Sequence, residues 1–557
     1  MNRLLKTFFD RRSYTDEFLR NLDSKIEGEL LDTDKACALL KEAHDKQERV
    51  VILPDFDMDG IMAGTLGFAG LSELGFNCSL FLPSTNEGYG FKMNSIDRLL
   101  STYPDTKYIL TCDVGVTCYE GVGYAKDLGI TVIVTDHHKE KEGRKINADA
   151  HVNPMRLDET YPLKTICGAY VLWRVLSYYA KTYCDVTVSD QIERLKVFAG
   201  IGTISDTMTL HNDNRQVVSD SVSISKLLFS TDNRWFLDAL DGSPQYKSAF
   251  EGLFNVLESF YNKDKIISDD DINEGFYGFY LAPTFNSVKR LESSILDAFG
   301  VFFDSDRSLN YIDNLHDLNE KRKVLVDNYY EHLLTSDQPY APYVYVSDAP
   351  LGICGLLATK LMKVSGMPTI VLNSDEYRGS GRGPSWIKLN TILTDGGFDV
   401  SGHEGAFGIS VKSDVEIMSL FAFISKIIDE YSNVILEAET NIDYDICISD
   451  YDDGDVGFNI PLLSEFIYEL KSYRPFGQGF MKPTIKLKFK PDDATVLLMG
   501  NDKKHIKFLL PHGFCAIVWG GGLIKDELLS KDMIELYGDL TINKFMDTRT
   551  VTFTSSL

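Results

Sequence analysis

With 557 residues, 44% of them hydrophobic and 25% charged, the chain has an ordinary globular composition and room for about three to four domains of roughly 150 residues. No run approaches the ~20 uninterrupted apolar residues of a membrane helix, and the charged opening MNRLLKTFFDRRSYTDEF lacks the apolar core of a signal peptide; no membrane association and a cytoplasmic location are therefore expected. The formal charge of −26, from 82 acidic and 56 basic residues, argues against a protein that coats nucleic acid electrostatically, so any such contact must be a local groove or pocket with its own cations. Nine cysteines without a CxxC pair disfavour structural zinc and a disulfide framework and fit free thiols in a reducing compartment.

In chain order, residues 1–48 read as a polar, helical surface appendage. From 49 to 210, the apolar runs VVILPDFD, KYILTCDVG and ITVIVTDHH alternate with helical stretches such as GTLGFAGLSELGF. Strand–helix alternation of this kind predicts an α/β unit with a doubly wound, mainly parallel sheet. Ligands gather at the carboxyl ends of such strands. Residues 211–345 read as a mostly helical connecting region, in which LNEKRKVLVDNYYEHLL is an amphipathic helix leading to the next unit. Residues 346–438, with YVYVSDA, GICGLLATKLMKVSG and PTIVLNSDEYRGSGRG, form a second α/β unit. Residues 439–557, with PTIKLKFK, HIKFLL, CAIVWGG and RTVTFTSSL, read as a small β-rich barrel or sandwich.

The chemistry concentrates where those strands end. VVILPDFDMDG places Asp55, Asp57 and Asp59 on alternate positions; TCDVG ends in Asp113, VTDHH in Asp136, His137 and His138, and GIGTISD in Asp206. Like charges this close raise one another's pKa unless a cation sits among them. Carboxylates with imidazoles and no thiolate form a hard oxygen and nitrogen set that suits Mn²⁺ or Mg²⁺. Two such ions ~3.5–4 Å apart would serve phosphoester hydrolysis. Taken singly, each element has a plainer reading: solvated acids in a turn, a surface His pair, or Asp113 as a helix cap. Four of them in order, each at a predicted strand end or strand–helix junction, point to one metal crevice.

DFDMDG, CDVG, TDHH and GTISD resemble, in order, the four motifs of the DHH phosphoesterase superfamily. LPSTNEGYGF, HVNPMR, ICGAYVLWRVL, DNRQ and YLAPTFNSVKRL are similar to segments of its RecJ branch, the single-strand-specific exonucleases. GICGLLATKL, GSGRG and SGHEGAFGISV look like the accessory DHHA1 domain, and RPFGQGFMKPTIKLKF like the entry to an oligonucleotide-binding (OB) domain. The resemblance covers nearly everything after residue 48. It implies a DHH core, a DHHA1 domain and a C-terminal OB-like domain. It makes Asp57, Asp59, Asp113, His137 and Asp206 metal ligands, with Asp55 ligating or orienting beside them. Asp136 would position the His pair, and His138 would meet the scissile phosphate or assist proton transfer. Ser380, Arg382, Gly402 and His403 resemble a phosphate-gripping surface, and Arg290 with the neighbouring Lys289 would line the strand path.

The sequence also departs from the RecJ pattern. Thr85 and Thr284 stand where RecJ proteins usually have Arg, and Glu404 lies beside His403. Against this, Lys486, Lys488, Lys490, Lys503, Lys504 and Lys507 form an island of positive charge in the β-rich segment. The implied activity is stepwise hydrolysis of single-stranded DNA from the 5′ end, in repair, recombination or replication. The implied protein is a monomer with two Mn²⁺ or Mg²⁺ ions and, as a further partner, a single-strand-binding or other replication protein. A phosphodiesterase of short oligonucleotides or cyclic dinucleotides and a catalytically silent scaffold are the competing readings.

Overall fold

A computed structural model describes the chain except residues 83, 85–89, 142, 231–233, 264, 267, 385, 404, 432–443, 452–453, 501–502, 546–547 and 557. Three sheets organise it. The first contains β1 (Arg49–Pro54), β2 (Cys78–Leu80), β3 (Thr106–Cys112), β4 (Thr131–Thr135) and β5 (Ala150–Val152), all parallel, in the order β2-β1-β3-β4-β5. Its strands are continuous apolar runs because both faces are covered. Val50 and Ile52 point to one core, with the helices Met58–Glu73 and Gly168–Tyr183, while Val51 and Leu53 point to the other, with Met93–Thr102 and Tyr119–Asp127. The chain turns back after β2, so β1 and β3 are neighbours whose connections leave in opposite directions. This is the switch point at which doubly wound sheets open a crevice.

The second sheet contains β6 (Val344–Ser347), β7 (Thr369–Asn373), β8 (Arg378–Arg382), β9 (Asp399–His403) and β10 (Ala406–Ser410), in the order β6-β7-β8-β10-β9; only β6 and β7 pair in parallel. The helix Ser308–Thr335 joins it to the first unit. Ile312 and Leu315 lie in the core of the first unit, and Val326 and Leu333 pack on Ile353 and Leu357 of the second. At 1.5 Å per residue this 28-residue helix is about 42 Å long, a rigid spacer between the two.

The third sheet contains β11 (Ile446–Ile448), β12 (Ile485–Phe489), β13 (Thr495–Met499), β14 (His505–Leu509), β15 (Cys515–Trp519), β16 (Ile534–Phe545) and β17 (Thr548–Ser556), in the order β11-β12-β16-β17-β15-β14-β13. The long β16 pairs with β12 through its first five residues and with β17 through its last seven.

The N-terminal residues do not form the polar appendage that their sequence suggests. The helix Arg3–Arg11 buries Leu4, Leu5, Phe8 and Phe9 in the core of the third sheet. Each such side chain contributes about 1.5–3 kcal/mol by leaving water. Arg11 and Arg12 add ion pairs to Asp455 and Asp445, both at 2.8 Å. The helix Thr33–Asp45 packs instead on the first unit through Ala36, Cys37, Leu40 and Ala43. Buried Arg215 closes the same junction. Its guanidinium donates to the carbonyls of Pro475 (2.5 Å), Tyr473 (2.7 Å) and Arg474 (3.0 Å) and pairs with Asp23. No helix among the described residues is long and apolar enough to cross a membrane.

Candidate metal centre

Each acidic motif follows a strand of the first sheet or ends a helix beside it, and the carboxylates converge on the β1/β3 switch point. Asp57 caps the helix Met58–Glu73, its carboxylate accepting from the Gly60 N–H at 3.2 Å. That cap and the buried apolar helix behind it hold the loop after β1 in place. Asp59, on the first turn, accepts the N–H groups of Gly168 (2.6 Å) and Ala169 (3.2 Å) at the start of the next core helix. Asp113 follows β3 in a left-handed conformation, φ 64°, with its own N–H bonded to Thr135 O. Such a conformation is tolerated by Asp, and it aims the side chain into the crevice.

After β4, Asp136 is fully buried and saturated with donors. Its Oδ1 accepts the N–H groups of His137 (2.7 Å) and His138 (3.1 Å) and lies 2.8 Å from His138 Nδ1; its Oδ2 accepts the Val116 N–H at 2.9 Å. The turn is thereby wound around Asp136, and His137 is aimed at the acids. His137 Nε2 lies 3.1 Å from Asp113 Oδ1, 3.4 Å from Asp206 Oδ2 and 3.9 Å from Asp59 Oδ2. Asp206 ends the helix Lys196–Ser205, whose glycines allow it to lie close to the site.

The electrostatics follow from burial. Asp55 is pushed up to about 7 by desolvation and then by Asp57, and Asp59 to about 6 by desolvation and then by Asp206. Asp113 is raised well above the ordinary carboxylate value by desolvation and by Asp59, Asp57, Asp55 and Asp206. Asp206 is raised as well, chiefly by desolvation. Asp57 is the one carboxylate among these five that is lowered; burial, the largest influence, would raise it, but Lys289, the Gly60 N–H and His138 together outweigh burial. Burial would likewise raise Asp136 and lower His138, yet the contact between them reverses both, holding Asp136 below the usual range and lifting His138 to about 9.

Three sets of ligand atoms lie within 4.8 Å of one another: Asp59, His137 and Asp206; Asp55, Asp57 and Asp113; and Asp113, His137 and His138. Asp55 Oδ2 and Asp113 Oδ1 are buried acceptors to which no group of the described residues donates. Buried acceptors left so, among mutually repelling acids, are what a divalent cation satisfies. The donor set of oxygens and imidazole nitrogens fits Mn²⁺ or Mg²⁺. The sets Asp59–His137–Asp206 and Asp55–Asp57–Asp113 have no member in common, each offering its own group of ligands, and together they suit a pair of ions.

The remaining expected site residues lie on the second unit. In β8, Ser380 and Arg382 share one face; in register, Arg382 pairs with Ala406 of β10, whose backbone partner in β9 is His403. The helix Leu351–Ser365 covers that face; Gly355 leaves the room that the Arg382 guanidinium fills, for a Cβ there would come within 2.8 Å of Nη2. Gly402, at φ 129°, belongs to the opposite face. Arg290 donates to Gly352 O at 3.1 Å at the start of the same helix. Burial and then the guanidiniums of Arg322 and Arg382 push Arg290 down to about 10. Among the described residues none of these three arginines forms an ion pair with a carboxylate, and Arg322 and Arg382 lie near enough to act on Arg290.

Several participants were not evident from sequence. Lys289, expected on the strand path, instead reaches the acids: Nζ lies 3.1 Å from Asp57 Oδ2 and 3.9 Å from Asp55 Oδ2. Asn286 accepts the Met58 N–H at 2.8 Å and so fixes the acidic loop from the connecting region. Gly168 and Gly202 are cradles; a Cβ at either would collide with Asp113 or Asp59. Glycine inside an apolar helix is costly, and that was the available signal. Thr284 is buried, donating to Tyr280 O and accepting from Asn319, so it leaves no cation at its position. Thr85 and Glu404 lie outside the described residues. Of the six-lysine island, Lys486 and Lys488 share Glu535 at 3.3 and 3.1 Å, which weakens its charge.

Comparison with known proteins agrees with this architecture. Residues 49–201 match the model of the DHH family, N-terminal domain, and residues 460–555 that of the RecJ OB domain. The chain thus carries a DHH-family domain and, further along, a RecJ-type OB domain. It is 24% identical to the single-stranded-DNA-specific exonuclease RecJ of Haemophilus influenzae over 95% of this chain and 89% of that one. It is also 24% identical to RecJ of Bacillus subtilis, over 97% of this chain and 65% of the relative. The fold of this chain superimposes on the crystal structure of RecJ from Thermus thermophilus in complex with Mn²⁺ with a TM-score of 0.72 at 20% identity, covering 100% of this chain and 75% of the other.

Proposed function

We propose that this chain is a metal-dependent exonuclease that hydrolyses single-stranded DNA. The observation that carries the reading is the convergence of Asp55, Asp57, Asp59, Asp113, His137 and Asp206 on one switch point, in a chain whose curated relatives are single-stranded-DNA-specific exonucleases. Those six residues would hold two Mn²⁺ or Mg²⁺ ions, with Asp113 and Asp206 the candidates to contact both. Bound there, the ions supply Lewis-acid chemistry for phosphodiester hydrolysis.

The chain's own groups do the rest. Asp136 fixes the orientation of His137 and keeps His138 protonated at neutral pH, since the imidazolium persists to about 9. We assign His138 to a phosphate oxygen or the leaving oxygen, where a retained proton offsets developing negative charge. Arg290, Ser380 and Arg382, with Gly402 and His403, would grip the strand's phosphates at the second sheet. Guanidinium forks suit phosphate oxygens, and glycine lets backbone N–H groups approach. The C-terminal sheet would hold the incoming strand by stacking and local cations. A substrate of only two nucleotides would use neither the connecting helices nor this sheet, so longer strands are favoured.

Digestion from the 5′ end, a monomeric state, a cytoplasmic location and a single-strand-binding protein as partner complete the reading. All nine cysteines are unpaired, in keeping with a reducing compartment. The test is a time course on 5′- and 3′-labelled single strands with chelator and metal add-back, beside a duplex and a dinucleotide. Mononucleotide release from the 5′ end of the single strand alone is expected. Metal-independent turnover, or preference for the dinucleotide, would overturn the reading.

A further inference from the structure

The acidic centre already contains a cation that is part of the chain. Lys289 Nζ lies 3.1 Å from Asp57 Oδ2 and 3.9 Å from Asp55 Oδ2, and it sits 4.7 Å from the centroid of the Phe56 ring between them. These carboxylates belong to the Asp55–Asp57–Asp113 set; among the described residues no lysine or arginine lies within ion-pair distance of the set formed by Asp59, His137 and Asp206, and Lys289 reaches Asp206 only as a weaker, longer-range influence. The backbone that carries Lys289 is pinned on both sides. Asn286 bonds Met58 N–H at 2.8 Å, and Arg290 bonds Gly352 O at 3.1 Å. Only the four-carbon side chain is free to withdraw, and at 38% exposure it has solvent to withdraw into.

Building on the metal-hydrolase reading above, we propose that Lys289 is the resident counter-ion of the Asp55–Asp57–Asp113 set, so that a divalent ion enters there only by displacing its ammonium. The two ion sites are then unequal. The Asp59–His137–Asp206 set loads first, and the other loads at higher metal concentration. A displaced Lys289 is left at the mouth of the site, where a backbone phosphate is the nearest alternative partner in kind. Nucleic acid thus favours the loaded state by taking the lysine.

The experiment is a Mn²⁺ titration of the full-length metal-free chain, with free Mn²⁺ read by electron paramagnetic resonance and melting temperature read in parallel, for wild type, K289M and K289R. Wild type is expected to bind two ions with distinct constants. In K289M the weaker constant tightens about tenfold, as removal of a neighbouring unit charge allows, while the tighter one stays put. K289R retains the charge and keeps the wild-type pattern. Melting of metal-free K289M falls, because Asp55 and Asp57 lose their neutralising partner, and Mn²⁺ raises it by more than in wild type. An unchanged weaker constant in K289M, or equal tightening in K289R, would overturn the role of the lysine while leaving the metal centre standing. Absence of Mn²⁺ binding in all three proteins would overturn the metal-hydrolase reading and this inference together.

Discussion

Gly202 lies directly against the Asp59 carboxylate, so closely that a Cβ at 202 would collide with Oδ1. Asp59 is held from the other side by the N–H groups of Gly168 and Ala169, and it cannot retreat. G202A therefore turns the carboxylate away from His137 and Asp206. Activity should fall roughly 100-fold, the scale of a ~1 Å misplacement in a catalytic centre, while the fold survives. Calorimetric Mn²⁺ titration of folded G202A checks this; wild-type ion binding there would refute it.

Asp136 acts through His138. It accepts three backbone N–H groups and the imidazole, and against burial it keeps His138 charged up to about 9. D136N keeps one acceptor and removes the charge, so His138 loses its proton at lower pH. The expected result is a 10–100-fold loss, in the range seen when partners behind metal-site histidines are removed, together with an alkaline limb of the rate profile that moves to lower pH. A merely structural role would lower the rate without moving that limb.

The first sheet and its acids were legible because each rests on a local signal. An apolar run buried on both faces, ended by Asp at a predicted strand–helix junction, states its own place. Lys289 was not legible. Neighbouring cations on a four-residue helix point in different directions, and which one enters the acids is fixed by Asn286 on Met58, a contact between distant segments. The N-terminal helix was misread for the same reason. Its apolar stripe has no local partner; Asn2 N–H meets Glu469 at 2.7 Å across 467 residues of chain.

In metal-free protein the centre makes stability depend on pH. Asp55 and Asp59 titrate at about 7 and about 6 in the fold, above the ordinary carboxylate value of 3.8. The folded chain then binds more protons than the unfolded one between about pH 4 and 7, so stability falls as pH rises through that window. His138, raised to about 9, adds a loss from about pH 6.5 upward. Asp57 and Asp136, whose values are lowered, are ionised in both states there and contribute a constant. Melting curves in chelator should show this decline, and Mn²⁺ should raise the melting temperature more at pH 8 than at pH 5.5. A metal effect independent of pH would contradict the coupling.

Arg215 joins the helix Asn212–Phe229 to the C-terminal unit through three carbonyls and lies 5.1 Å from the Phe480 ring centroid. R215A leaves those carbonyls buried without a donor, a cost of about 3 kcal/mol. Scanning calorimetry should resolve the single transition into two as the units uncouple. Turnover of a 30-nucleotide strand should fall more than that of a dinucleotide; equal loss on both would mean that the junction does not serve strand holding.

Arg382 and Arg322 test the phosphate grip apart from the chemistry. Arg382 fills the space left by Gly355, and Arg322 lies close enough to depress Arg290, yet neither meets a carboxylate among the described residues. Each is expected to release counter-ions when a strand binds. R382A and R322A should raise KM about tenfold with kcat within about threefold, and each should lower the slope of log affinity against log salt by about one. Fluorescence anisotropy of a labelled single strand, in Ca²⁺ to hold back hydrolysis and from 50 to about 200 mM salt, measures the slope, and steady-state turnover of the same strand in Mn²⁺ gives KM and kcat. If the slope stays unchanged in R382A while kcat collapses, the guanidinium belongs to the reaction and not to the grip.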